Sequence, residues 1–419
     1  MSDLKDILNK CLFFTGAGFS QPAGCKMSKE MLEDLENKVK NNELFTKAEG
    51  ETIKFILSCL DYHARWRTLE DNSKYKFKPN IEEFALLLRR IKNRENLLPY
   101  PVTGNWSDKI TKLERDFEIE NKNSELDLYD SIEQKIITKC YNEWLSITLT
   151  NFLFPLKNFL KEIPQIDTKL NWFTLNNDTL LETFFNEEKS VYTGFVNKKW
   201  VGFEKENIDD DTYNDGRINY YKLHGSINWA RMNDGTVKIK SDDIDEENIE
   251  IDPFLIFGYG TKLFTVEPFF SLLKAFHNKL NRKKYFFIIG YSFFDPHINN
   301  LFAEALINNE EGKKMIIVDP NLTALNDSYF ENKYGFKNVL KQEYHTQLIQ
   351  FFFDIQKNPF YSDTPKFNIS KLSVDNFIYI KTNTQDFLSN IFGKQGGRYN
   401  LVNIINLLSK EEKQKAQIF

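Results

Sequence analysis

Paired cysteines are missing from this chain. It has four cysteines in 419 residues, Cys11, Cys25, Cys59 and Cys140, and no two stand in a Cys-x-x-Cys arrangement. That excludes a disulfide framework or a structural zinc ribbon built on such pairs, and no metal is expected. No apolar run reaches the about 18 residues that a spanning helix needs, so no membrane association is expected. An excess of positive charge is missing too: 55 Lys and Arg stand against 60 Asp and Glu, a formal net charge of −5. A broadly cationic face is therefore not expected, which argues against direct nucleic-acid binding. The first residues, Met1-Ser2-Asp3-Leu4-Lys5-Asp6, do not form a charged-then-apolar leader, and the expected location is the cytoplasm. No internal repeat is visible. With 41% hydrophobic and 27% charged residues, the composition is that of an ordinary globular chain.

What is present begins close behind the N-terminus. Phe14-Thr15-Gly16-Ala17-Gly18-Phe19-Ser20 follows the apolar run Cys11-Leu12-Phe13-Phe14. Strand, glycine turn and helix in succession present backbone N–H groups to a phosphate in doubly wound sheets. The signal alone is short. Gln21 stands where a third glycine of the dinucleotide fingerprint would fall, and a plain tight turn reads the same way.

Helical spacing then dominates. Ser28 to Lys40 puts Met31, Leu32 and Leu35 on one face. Ile81 to Leu88 follows a cap at Pro79-Asn80, and a further block runs from Asp127 to about Leu160. Residues from about 30 to 165 are expected to form a helical insertion in a main domain spanning 1–357. Short apolar runs return at Leu170–Leu175, Asn219–Leu223, Pro253–Gly258, Tyr285–Gly290 and Lys314–Asp319, with a hairpin turning at Asn233-Asp234-Gly235. Helical segments, Glu267 to Leu280 and His297 to Ile307, separate the later runs. This pattern predicts an α/β fold, a Rossmann-like parallel sheet with helices on both faces. Beyond about Asn358 the periodicity weakens, and 358–419 is expected to be a C-terminal appendage.

The chemistry-bearing residues fall at strand ends, where open α/β sheets bind ligands. They are Gly16, Ala17, Gly18 and Ser20; Thr174, Asn176 and Asp178; His224 with Gly225; Gly290 and Ser292, with Asp295 and His297 just beyond; and Asp319. The glycine turn could admit a diphosphate, with Ser20 adding a hydroxyl. Asn176 offers a carboxamide that holds water or a hydroxyl without titrating. An imidazole such as His224 suits proton transfer near neutrality. Asp319 could accept from ribose hydroxyls. Plainer roles stand beside these: Asn176 as a turn residue, His224 as a hydrogen-bonded core residue, Asp319 before Pro320 as a turn former. His297 reads as a helix cap, and Glu82 and Glu83 as a solvated helix face.

Taken in order, Gly-Ala-Gly-x-Ser, Thr-x-Asn-x-Asp, His-Gly and Gly-x-Ser resemble the sirtuin family of NAD-consuming domains, over roughly 10–30 and 168–325. The resemblance implies NAD as the substrate, with Asn176 and His224 catalytic. It places Asp178 near the nicotinamide carboxamide. Gly16, Ala17, Gly18, Ser20, Thr174, Gly290, Ser292 and Asp319 would bind the remainder of the dinucleotide.

The chain departs from protein-deacylating sirtuins in two places. No cysteine follows Cys140, so the zinc module that helps build an acyl-lysine cleft has no ligands, and Gly24-Cys25-Lys26-Met27-Ser28 replaces the Pro-Asp-Phe-Arg stretch. The zinc-free, helically inserted variety resembles bacterial anti-phage effectors that hydrolyse NAD, often paired with a HerA-type ring ATPase or an Argonaute-like protein. That resemblance implies an NAD glycohydrolase, a homo-oligomer and a HerA-type partner. An NAD-dependent deacylase, a non-catalytic NAD or ADP-ribose sensor and a scaffold subunit remain the alternatives.

Overall fold

Short apolar runs become the middle of one sheet, because each is buried on both faces. The computed structural model describes residues 2–70, 79–94, 106–122, 125–162, 168–186, 190–203, 217–258 apart from 243 and 245, 266–307 apart from 294, 312–320, 339–340, and 377–406 apart from 381 and 396. In chain order the strands are β1 (Cys11–Thr15), β2 (Leu170–Thr174), β3 (Val191–Tyr192), β4 (Phe195–Val196), β5 (Lys199–Trp200), β6 (Ile218–Lys222) and β7 (Trp229–Met232). They continue with β8 (Val237–Ile239), β9 (Ile249–Ile251), β10 (Tyr285–Ile289), β11 (Lys314–Val318), β12 (Val339–Leu340) and β13 (Phe377–Ile380).

The main sheet runs β12-β13-β11-β10-β1-β2-β6-β3. β12 pairs antiparallel with β13, and all other pairings are parallel. The chain builds outward from β1 through β2 and β6, then returns to the other side of β1 with β10 and β11. The order therefore reverses at β1, where an open parallel sheet forms its ligand crevice. Successive side chains of β1 point to opposite faces. Phe13 stacks between Trp172 and Phe287, its register partners, with ring centroids 5.0 and 5.1 Å away. Phe14 packs on the other face against Phe276, Tyr291 and Phe302. The helix Phe269–Arg282 supplies Phe276 and the helix Pro296–Ile307 supplies Phe302. The expected parallel sheet with helices on both faces is thus the observed fold.

Some elements differ from expectation. Pro253–Gly258 is not a strand of the sheet: it makes an isolated bridge, Gly225 to Leu255, and lies across the loop after β6. Its apolar side chains serve packing instead, with Leu255 and Phe257 buried in the helical cluster. The hairpin at Asn233-Asp234-Gly235 does form, as β7 and β8, within a five-stranded antiparallel sheet ordered β4-β5-β8-β7-β9.

The helices Ser28–Lys40, Lys47–Glu70, Ile81–Lys92 and Trp106–Glu120 form a hydrophobic cluster with Leu128 to Leu145. Asn80 caps the third of these helices, its side chain accepting from the Glu82 and Glu83 N–H groups at 2.9 and 3.0 Å. The later block breaks after Leu145, and Phe152, Leu156, Phe159 and Leu160 already pack against the main sheet.

The C-terminal segment also differs. β13 lies parallel beside β11, and the helix Thr384–Ile391 buries Phe387, Leu388 and Ile391 in the core under the sheet. Leu401, Val402, Ile404 and Ile405 join the same core. The described part of 358–419 is thus an integral edge of the sheet rather than an appendage. A strand of four residues leaves too short a pattern to be read from sequence.

Candidate active site

The glycine turn is shaped first by its neighbour. Gly16 N–H donates to Ile289 O at 3.1 Å and Gly18 N–H to Gly290 O at 2.9 Å. A Cβ on Gly16 would lie 2.8 Å from Gly290 O, and one on Gly18 would lie 2.8 Å from Gly290 Cα. Gly290 has φ +62°, and its own Cβ would sit 2.5 Å from the Gly18 carbonyl carbon. These glycines are therefore required by backbone-to-backbone contact between the ends of β1 and β10, whatever they also offer a ligand.

The loop after β2 docks on this turn. Asn176 is 8% exposed, and its Nδ2 donates to Gly16 O and to Ser20 Oγ, both at 2.9 Å. A backbone carbonyl can only accept, so the amide nitrogen must face Gly16. The carboxamide oxygen is then left as an acceptor. Thr174 supports this placement from below, with its hydroxyl accepting from Asn176 N–H at 3.0 Å and donating to Thr15 O at 3.3 Å. Thr174 is fully buried and positions Asn176. Asp178 is also buried, and its Oδ1 accepts from Leu180 N–H at 3.0 Å.

The loop after β6 is tied to the loop after β2. Asn177 Nδ2 donates to His224 O at 2.7 Å, and Ser226 Oγ donates to Asn177 O at 3.2 Å. Beneath both loops lies Lys222, with no exposed surface. Its ammonium donates to Asp178 O, to Glu182 Oε1 at 2.8 Å and to Ser226 Oγ at 2.6 Å. Burial pushes the Glu182 carboxyl up, and the Lys222 charge opposes that shift.

The half-buried His224 ring meets Asp295, which follows β10, with Nε2 and Oδ2 3.1 Å apart. The other oxygen of Asp295 accepts from the N–H groups of His297 and Ile298 at 2.9 and 3.2 Å, at the start of the helix Pro296–Ile307. Asp295, not His297, thus makes the helix cap. Burial alone would raise the Asp295 carboxyl, but the His224 hydrogen bond and charge, with His297 and the Ile298 N–H, hold it below the ordinary carboxylate value.

A small cavity opens at these strand ends, lined by Ala17 and Ser20, by Asn176, Asn177 and Asp178, and by Cys25, Lys26, Glu82 and Tyr141 from the helical side. His224 lies beside this cavity rather than among its lining residues. Glu82 joins the two, since its charge couples to both His224 and Asp295. Glu83 is buried, and its carboxylate accepts from Asn80 N–H at 3.2 Å. The solvated face expected for Glu82 and Glu83 is therefore not observed: the helix lies against the loop 253–258, with Gly258 directly over Ala85. Burial pushes the Glu82 carboxyl above its ordinary value. The same effect raises the Cys25 thiol to about 12, so it is no nucleophile near neutrality.

Gly290 sits on the glycine turn, whereas Ser292 is exposed and Asp319 half-buried at the ends of β10 and β11. The structure thus brings Gly16, Ala17, Gly18, Ser20, Thr174, Asn176, Asp178 and Gly290 into one neighbourhood, with His224 adjoining. Asp295, placed by the sequence just beyond β10, gains its partner here, and Glu82 is the addition. Asp295 had a local signal, the cap pattern Asp-Pro before a helix, but nothing in the sequence pairs it with His224. Among the described residues no cluster of His, Cys, Asp and Glu could hold a metal ion.

Residues 171–339 match the model of the SIR2-like domain, a span that begins in β2 and ends in β12. No curated protein matches the chain. Among solved structures it is similar to a Sir2 enzyme studied for mechanism and regulation, at 12% identity over 96% of both chains with a TM-score of 0.35. It is also similar to a Sir2 homologue in complex with NAD, at 13% identity over 77% of this chain and 84% of that one, with a TM-score of 0.33.

Proposed function

We propose that this protein is an NAD glycohydrolase that cleaves the bond between nicotinamide and ribose C1′. The observation that carries the reading is the convergence of the glycine turn, the Asn176 loop and the His224 loop through direct hydrogen bonds, Asn176 to Gly16 and Asn177 to His224. The match of 171–339 to the SIR2-like domain supports NAD as the substrate.

The chemistry suits these residues. Glycosidic cleavage passes through an oxocarbenium-like state. Nicotinamide departs as a neutral pyridine, so no strong acid has to protonate it. The protein must hold the ribose, stabilise developing positive charge and admit water. Asn176, fixed through its nitrogen, offers its oxygen to a ribose hydroxyl or water. His224, oriented by Asp295, takes a proton from a ribose hydroxyl. Gly16, Ala17, Gly18 and Ser20 face the diphosphate, Asp178 the nicotinamide end, and Gly290, Ser292 and Asp319 the adenine-ribose end. With no Cys-x-x-Cys pairs after His224, a deacylase cleft on the zinc-module plan has no ligands.

Uncontrolled NAD hydrolysis would be toxic to its cell. The resemblance to anti-phage effectors supports control by a homo-oligomer or a HerA-type ATPase in the cytoplasm. The test is nicotinamide release from NAD by the purified chain, alone, with an acyl-lysine peptide and with such an ATPase. Release without peptide is expected, and Asn176→Ala or His224→Ala should lower it by about 10²–10⁴-fold. Release that depends on the peptide supports the deacylase instead, and NAD binding without release in any arm supports a sensor.

A further inference from the structure

Resting on the hydrolase reading, we infer that Glu82, delivered by the helical region, is the group that takes the proton from the attacking water. The cavity holding Asn176 needs a base, and its lining offers two carboxylates, Asp178 and Glu82. Asp178 accepts from Leu180 N–H, Ser20 Oγ accepts from Asn176, and Lys26 is a cation paired with Asp34 at 2.5 Å. The Cys25 thiol is held at about 12, and burial drives the Tyr141 phenol well above its ordinary range. His224 is engaged by Asp295 and stands beside the cavity. Glu82 lines it, with a carboxylate on the first turn of its helix.

The groups facing Glu82 are His224 from the end of β6, Asp295 from the end of β10, Arg89 on its own helix and the Gly258 N–H from the covering loop. Tyr141 adjoins it across the cavity, and Glu133 pairs with Arg89. Burial outweighs the pull of His224, Arg89 and the Gly258 N–H, so the carboxylate is a stronger base than a solvated one.

In the step, a water oxygen bonds to C1′ as the C1′–N bond breaks, and that electron pair leaves with neutral nicotinamide. The water proton passes to Glu82 and then to solvent. ADP-ribose, nicotinamide and one proton are the products.

The test measures nicotinamide release and NAD affinity for the full chain, Glu82→Gln and Glu82→Ala, with circular dichroism confirming folding. Both variants should bind NAD within about twofold of the parent while kcat falls about 10²-fold or more. Added formate should restore turnover in Glu82→Ala and not in Glu82→Gln, and the acid limb of the parental kcat profile should vanish in Glu82→Gln. Parental turnover in Glu82→Gln, loss explained entirely by weaker NAD binding, or absence of formate rescue would each overturn the inference and leave the hydrolase reading standing. A parent that releases no nicotinamide overturns both, and its own activity tells the two failures apart.

Discussion

The imidazole of His224 and the carboxylate of Asp295 meet at 3.1 Å across 71 residues of sequence. One belongs to the loop after β6, the other to the start of a helix after β10. A carboxylate on one ring nitrogen fixes the tautomer and steadies the imidazolium that forms when the other takes a proton.

Asp295→Asn should therefore separate two roles of one side chain. Asn caps helices about as well as Asp, so folding should persist. Nicotinamide release should fall at least about tenfold with little change in NAD affinity. Asp295→Ala should in addition lose about 1 kcal/mol of stability through the missing cap. Kinetics and a denaturant titration of the two variants check this. Equal activity in Asp295→Asn and the parent would remove Asp295 from the mechanism.

Lys222 tests what holds the two loops together. All three of its donors are engaged, and Glu182 is its charged partner. Lys222→Met leaves the half-buried Glu182 carboxylate unpaired and should cost up to about 3 kcal/mol near neutrality. Burial already raises the Glu182 carboxyl, so the loss should shrink as pH falls and that group becomes neutral. Lys222→Met combined with Glu182→Gln should recover part of the stability without restoring activity. Unfolding midpoints at two pH values measure both effects.

Glu82→Gln should melt higher than the parent at about pH 8. The sign follows from the direction of the shift. A carboxyl raised by folding above its ordinary 4.5 costs stability once ionised, above its folded pKa. That cost disappears as pH falls toward the unfolded value, so the two melting temperatures should converge near pH 5. A variant stabilised and inactivated together identifies strain held for function. No pH dependence in the difference would mean that Glu82 ionises as freely folded as unfolded.

Phe387 tests the edge of the sheet. It is fully buried and lies against Phe287, with ring centroids 6.2 Å apart. Phe387→Ala should cost about 3–5 kcal/mol, read from denaturant midpoints. A position on a loosely attached tail would lose within about 0.5 kcal/mol.

Five central strands, β1, β2, β6, β10 and β11, and the places where they end are legible in the amino-acid pattern. Runs such as Cys11–Thr15 and Tyr285–Ile289 are apolar at every position because both faces are covered, and that pattern is local. The same pattern assigns Gly16, Asn176, His224 and Gly290 to strand ends, since a motif is a local string. Which of them meet is a matter of folding. Asp295 reaches His224 because β6 and β10 end on the same edge of the sheet, on opposite sides of β1. Glu82 becomes a raised, site-facing acid because Phe257 and Gly258 cover its helix, and β13 enters the core by pairing with β11. Each depends on contacts between distant segments, and no local period in the chain encodes them.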